Sequence, residues 1–462
     1  MSRPKFLFPS CFMAATVSLI LLSLPALADS HVRIVRLSYI EGGVQIAHSG
    51  STAYQKAITN LPVSEGMKLK TADDGRAEIE FEDGSTLHIV PDSEVAFPRL
   101  LLRDSGAKAS QVDVDKGTAY LNYLGTKNDE FTLQFGHESI LLTSPAHLRI
   151  DMGESNSIAI FKGLVQVQTP GGAVELKKNQ TLSFDAAADT QPKLAKNIRQ
   201  EAFDDWDDQQ NEYHSRYAMK SYNSYSPYAY GTTDLAYYGS FFNYPGYGMM
   251  WQPFFAGAGW DPFMDGAWMS YPGWGYGWIS AYQWGWTPYH YGTWVFLAGR
   301  GWAWQPGGAW STWYGQPVLQ NVPRGFAVPR APASGTNTVL VSRGTASTFN
   351  GGKLLLHNNS AGLGVPRGEL GNMAKLSEKV QTHGTVSQRV ESPPSMMSRS
   401  AMGAPNTGRA EPGSSGRMGT AGRTGSSSGR GEASSRAPEP MPEPRPMGGM
   451  GSAGAHGGSP HK

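Results

Sequence analysis

One stretch decides what this chain can fold into. Residues 222–314 hold 32 of the aromatic residues and 12 of the 13 Trp, yet only four charged side chains: Asp234, Asp261, Asp265 and Arg300. So much ring surface is not left in water; it is stacked into a core or offered to a ligand. Aliphatic residues are scarce there, so the rings themselves must do the packing.

The stretch contains a repeat. Residues 260–278 (WDPFMDGAWMSYPGWGYGW) and 286–304 (WTPYHYGTWVFLAGRGWAW) align at an offset of 26. Seven positions coincide: Trp260/Trp286, Pro262/Pro288, Gly266/Gly292, Trp268/Trp294, Gly273/Gly299, Gly275/Gly301 and Trp278/Trp304. A repeated unit of this kind buries its apolar face by stacking on its neighbour. Each unit reads as a Trp, a turn, a short aromatic strand, a Gly-rich turn and a second aromatic strand. A small β module of stacked hairpins, or an open barrel, is predicted over 222–330, with the Tyr-rich 222–247 as a poorly structured approach. The rings are expected to be mainly structural, with Trp268 and Trp294 as equivalent core residues. The candidates for a ligand-binding face are Trp274, Tyr276, Trp284, Trp286, Tyr289, His290 and Tyr291. Trp and Tyr combine flat apolar faces with polar edges, which suits sugars and peptides.

The other regions read more simply. Residues 1–28 carry Arg3, Lys5, an apolar run from Phe12 to Leu24, and Ala26-Leu27-Ala28, the pattern of a cleavable export signal. The run is short of the roughly 20 residues needed to span a bilayer. Export to the periplasm or cell surface of a bacterium is expected, without stable membrane insertion. The single cysteine, Cys11, lies in this leader, so the mature chain is expected to have no disulfide, cysteine-ligated zinc or CxxC redox centre.

Residues 29–190 read as strand after strand. Ala77-Glu78-Ile79-Glu80-Phe81 and Thr86-Leu87-His88-Ile89-Val90 alternate and are joined across Asp83-Gly84, a strong hairpin signal. The chain is therefore expected to be mainly β, beginning with an all-β domain. Residues 191–221 are read as a helical linker, from the apolar spacing Leu194, Ile198, Ala202, Trp206. Asp204-Asp205 and Asp207-Asp208 flank Trp206 and, lacking EF-hand spacing, are read as a solvated face around one buried Trp. Residues 331–390 look weakly structured, with strands near Val339–Val341 and Leu354–Leu356 and a short helix around Leu370–Val380. Residues 391–462, rich in Gly, Ser, Pro and Arg, are expected to be a disordered tail.

The β domain resembles the FecR domain family over about 31–185. The resemblance is carried by Gly66-Met67-Lys68-Leu69-Lys70-Thr71, by Gly75 to Ser85, and by Val90-Pro91-Asp92-Ser93-Glu94-Val95. Thr143-Ser144-Pro145, Gly163 to Val167 and Leu176-Lys177-Lys178-Asn179-Gln180 continue it. The family commonly has Gly where this chain has Asn179; Asn tolerates left-handed backbone geometry, so the turn is expected to survive. Family members acting as anti-sigma regulators carry a cytoplasmic head and a membrane span before this domain. A cleavable signal stands there instead, which argues against direct control of a sigma factor. The aromatic stretch, with Gly266-Ala267-Trp268, Tyr271 to Trp278 and Trp284 to Gly292, resembles an uncharacterised Tyr/Trp-rich domain that commonly follows FecR domains in exported bacterial proteins.

Catalytic signatures are missing from the sequence: there is no G-x-S-x-G, H-E-x-x-H, P-loop or dinucleotide fingerprint. A non-enzymatic envelope protein is expected, serving as a FecR-like scaffold or recognising a partner, with a place in envelope signalling. No cofactor or metal is expected. Partners are an envelope protein or polysaccharide. Nucleic acid is excluded by a net charge of +1 and an aromatic module with one Arg and three Asp. The alternative is a protein that binds or hydrolyses envelope polysaccharide, with Asp261 and Asp265 as the carboxylate pair.

Overall fold

The structure is a computed structural model describing residues 33–153, 155–185, 192–271, 275–310, 316–333 and 338–390. The leader expected at 1–28, the tail expected at 391–462 and the candidate Trp274 lie outside these residues. The chain is mainly β, and its strands form open sheets rather than the barrel considered for the aromatic module. Among the described residues no helix is long and apolar enough to cross a membrane.

The strands from Ile34 to Ala195 form one continuous sheet folded into two leaves. Alternating side chains send Val35, Leu37, Ile79, Leu87, Leu121 and Leu148 of one leaf against Ile46, Leu69, Val95, Val112, Leu133 and Val167 of the other, in a single core. The long strand Lys108–Tyr123 belongs to both. Its first half pairs with Glu94–Leu102 and, in parallel, with Glu130–Phe135. After Gly117, at φ 75°, its second half runs between Thr86–Ile89 and Ala146–Met152. The hairpin across Asp83-Gly84 is present, with Gly84 at φ 87°. Asn179 sits at φ 66° and keeps the turn that a Gly would make.

The linker differs from its expected form. Lys193–Ala195 is an edge strand on Thr181–Ser183, and helix α1 spans only Asp204–Tyr217. The apolar spacing through Leu194 and Ile198 belongs to no helix; Leu194 remains 48% exposed. The Tyr-rich approach is also more ordered than expected. It forms a short 3-10 turn, helix α2 (Thr232–Tyr238) and strand Gly239–Tyr244. Tyr230, Tyr237 and Tyr238 in this segment are buried, and that burial supplies the order which composition did not suggest.

In the aromatic module, hairpin Asp265–Tyr271/Gly275–Ser280 places Trp268 directly opposite Trp278. Hairpin Tyr291–Leu297/Gly301–Trp310 places Trp294 directly opposite Trp304. Gly275 and Gly301, the paired turn glycines, sit at φ 94° and 91°. A side chain at Gly266 or Gly292 would collide with the ring of Trp278 or Trp304 respectively, so the two units share their close contacts as well as their register. The hairpins enter different sheets: the first pairs with Val339–Ser342, the second with Gly248–Pro253 and Val318–Gln320. Between them lies a ring core of Trp251, Trp260, Trp268, Trp278, Tyr282, Trp284, Tyr289, Trp294 and Trp304, all buried.

Within the stretch 331–390, read as weakly structured, residues 338–390 complete that core. Lys353–His357 pairs with Thr348–Asn350 and Thr385–Arg389, and helix α4 spans Met373–His383. Leu354, Leu356, Val365, Leu370, Met373 and Val380 pack against the rings, which is why a segment without strong periodicity is ordered.

Trp268 and Trp294 are 2% and 0% exposed. Truncating either to Ala should cost about 3–5 kcal/mol, as large aromatic deletions in cores do. Urea denaturation of the leader-free chain, followed by Trp fluorescence and circular dichroism, measures it; changes within about 1 kcal/mol would place these rings outside the stabilising core.

Candidate functional site

A polar row crosses the outward face of the leaf that carries Leu37, Ile79, Leu87 and Leu148. Glu78 stands opposite His88, His88 opposite Tyr120, and Tyr120 opposite Arg149. Arg36 and Glu80 face each other beside them. By alternation these residues should meet solvent. They are buried instead, because α1, α2 and the loop carrying Arg367 lie over them.

Helix α1 presents Asp204, Asp207, Asn211 and His214 along one side. Asp204 accepts from Arg149 and from the Tyr120 hydroxyl (2.9 Å). Asp207 meets His88 Nδ1 and His147 Nε2, each at 2.6 Å. His214 reaches Glu78 at 3.0 Å. The solvated face expected for the two acid pairs is thus only half solvated: Asp204 and Asp207 are buried, Asp205 and Asp208 exposed. Trp206 is buried as expected, against Tyr39 and His88.

The second half of the network joins the modules. Arg36 pairs with Glu80 (2.9 Å) and with Asp234 of α2 (2.7 Å), and donates to Asn60 and the Gln283 carbonyl. Arg367 pairs with Glu78 (2.8 Å) and Asp234 (3.2 Å) and donates to the Ser38 carbonyl. Asn60 donates to the carbonyls of Ser280 and Tyr282, and Tyr213 donates to Asp234. Apolar contact accompanies the ions, for Tyr230, Met269, Tyr271, Ile279 and Trp286 join the core of the two leaves.

Burial alone would raise the Glu78 carboxyl, but Arg367 and His214 outweigh it and hold it well below its ordinary range. Asp234 is likewise lowered against its burial, by Arg367 and Arg36. Burial prevails at Glu80 and pushes it up despite Arg36. His88 loses solvation, yet Asp207 and Glu78 accept from its two nitrogens and push it up to about 9.

The ligand-face candidates fall elsewhere. Trp284, Trp286, Tyr289 and His290 are 0%, 0%, 2% and 3% exposed, so their rings are enclosed by protein. Trp284 stacks on Tyr282 at 4.9 Å and donates to the Ala361 carbonyl. Trp286 packs on Tyr230 and His290. Burial, with Arg36 nearby, pushes His290 down to about 3. Tyr276 and Tyr291 are partly exposed. Asp261 and Asp265 are both buried: Arg343 holds the first, Tyr282 and Ser342 hold the second. The sequence reading missed Arg36, Glu78, His88 and Arg367. Polar residues alternating along a strand look like a wet face, and nothing local indicates that a helix will cover them.

These features define a two-part β protein whose parts are joined by buried ions and rings. Residues 67–166 match the FecR protein family and residues 232–327 match a family of unknown function, DUF6600. The chain carries a FecR domain followed by a DUF6600 domain. No curated protein matches it. Two crystal structures of an anti-sigma factor candidate from Parabacteroides distasonis resemble part of the chain at 14% and 13% identity. Each likeness covers 28% of this chain and 59% of the other, with a TM-score of 0.25, too low to carry anything over. The FecR family supports a role in envelope signalling or regulation.

Glu78→Gln leaves the buried Arg367 with Asp234 as its one remaining carboxylate and should cost about 3–5 kcal/mol at pH 7. The lowered Glu78 and Asp234 stabilise fully above their unfolded values, near 4.5 and 3.8, and lose that stabilisation as pH falls through their folded values. The wild-type chain should therefore weaken as the pH drops below about 4.5, and Glu78→Gln should flatten that limb. Urea midpoints measured from pH 7 to pH 3 decide it.

Proposed function

We propose that this chain is a non-enzymatic, exported envelope protein whose FecR domain and aromatic module act together as one scaffold that recognises an envelope protein in signalling. The observation that carries this reading is the network of Arg36, Glu78, Glu80, Asp234 and Arg367. Its donors and acceptors come from both modules and are fully buried, so neither module keeps its polar groups satisfied without the other. Buried ions of this kind add little net stability but specify one arrangement, which suits a surface read by a partner.

The ring geometry favours this over the polysaccharide alternative. A sugar platform needs ring faces open to solvent, and four of the candidate rings are enclosed. A glycosidase needs two carboxylates free to meet substrate. Asp261 and Asp265 are instead committed to Arg343, Tyr282 and Ser342.

Chemical cross-linking of the leader-free chain in envelope fractions should trap a protein partner. Titration with peptidoglycan fragments and envelope polysaccharides should give no saturable binding. Saturable glycan binding that is lost in Tyr276→Ala or Tyr291→Ala, the two partly exposed candidates, would overturn the reading in favour of the alternative.

A further inference from the structure

The acid pairs around Trp206 meet a histidine that the sequence alone does not bring to them. His147, from strand Ala146–Met152, places Nε2 beside Asp207 at the start of α1, and Asp208 follows. One nitrogen of His147 and one carboxylate oxygen from each of Asp207 and Asp208 all lie within 4.8 Å of one another. We propose that His147, Asp207 and Asp208 form a binding site for a first-row divalent cation of the zinc type, with Asn211 as a fourth donor.

Asn211 stands beside the cluster and can supply a further donor. Its amide sits one helical turn after Asp207 and faces the cluster, with Nδ2 3.2 Å from Asp207 Oδ2 and 3.3 Å from His147 Nε2. Its Oδ1 is buried with no hydrogen-bond partner. A buried carbonyl oxygen left unpaired is costly. Turning the amide over does not help by itself, because Oδ1 would then face a carboxylate oxygen. A cation that replaces the proton shared by His147 Nε2 and Asp207 Oδ2 lets the turned amide offer Oδ1 as a lone-pair donor beside the carboxylate oxygen and the imidazole nitrogen, with Nδ2 then in the buried place that Oδ1 leaves.

The surroundings suit such an ion. His88 holds Asp207 Oδ1 at 2.6 Å, which leaves Oδ2 on the His147 side, an orienting contact typical of the shell around metal ligands. Asp208 is exposed and lines a groove of ≈ 460 Å³ together with Phe161, Lys178, Asn179, Gln200 and Asp205, so solvent reaches the Asp208 carboxylate. Imidazole with carboxylate oxygens selects zinc and its neighbours over magnesium or calcium, which prefer all-oxygen sets.

The test uses the leader-free chain without an affinity tag, carrying His456→Ser and His461→Ser to remove the one close histidine pair of the tail. Zinc is titrated in competition with a chromophoric chelator, and the melting temperature is followed with and without zinc. One zinc per chain is expected, with a melting temperature that rises on binding. Asp208→Asn, at an exposed position, should weaken zinc on the order of tenfold to a hundredfold and abolish the rise. His147→Gln should do the same. No zinc retained by the chain, or binding unchanged in Asp208→Asn, overturns the proposal. Should His147→Gln fail to fold, the Asp208→Asn result decides alone.

Discussion

The architecture depends on a charged row that a β-sheet would ordinarily leave in water. Arg36, Glu78, Glu80 and His88 project from the outer face of the leaf that carries Leu37, Ile79 and Leu87, and removing them from solvent is expensive unless each finds a partner. The partners come from far along the chain: Asp207 and His214 on α1, Asp234 on α2, and Arg367. Helices α1 and α2 and the loop carrying Arg367 must therefore all be in place before this face is satisfied. This ties the order of the parts to the fold of the first one. It also explains why α1, polar on the side that docks, is held by ions and by Trp206 rather than by an apolar stripe.

The ring core answers a different constraint. Few aliphatic side chains are available between 222 and 314, so two hairpins of the same register bring Trp268 and Trp278, then Trp294 and Trp304, across from one another. Gly266 and Gly292 let the strand backbone approach the paired rings. The indole N–H groups of Trp268, Trp278 and Trp294 find no acceptor. Ring contact is favoured there over hydrogen bonding, in keeping with a large apolar area per Trp. Among the described residues, the same enclosure leaves the module few open ring faces.

Much of this was legible in the sequence, and what was not has identifiable causes. The all-β class of the first domain, though not its two-leaf topology, followed from alternation and from the Asp83-Gly84 turn, and the resemblance to FecR agreed with it. The left-handed turn at Asn179 followed from the resemblance, whose members commonly have Gly there, and from the tolerance of Asn for that geometry. The helical spacing through Leu194 and Ile198 misled, because a period of 3.6 over four apolar residues also fits a short edge strand followed by a loop. Residues 338–390 looked weak because each of their elements borrows its apolar surroundings from the ring core instead of carrying its own.

Alternation, turn chemistry and the 26-residue repeat are local properties, written in residues close together, so the sequence by itself determined the β class, the hairpins and the equivalence of Trp268 and Trp294 in the two units. Which face of a strand is finally wet is not local. His147 and Asp207 lie 60 residues apart and meet at 2.6 Å; Glu78 and Arg367 lie 289 apart and meet at 2.8 Å. Only the tertiary structure could decide that the polar row is interior, that four of the expected ligand-facing side chains are enclosed, and that a histidine joins the acids of α1. The physical reason is that burial and electrostatic partnership belong to the packed whole, whereas backbone geometry is set residue by residue.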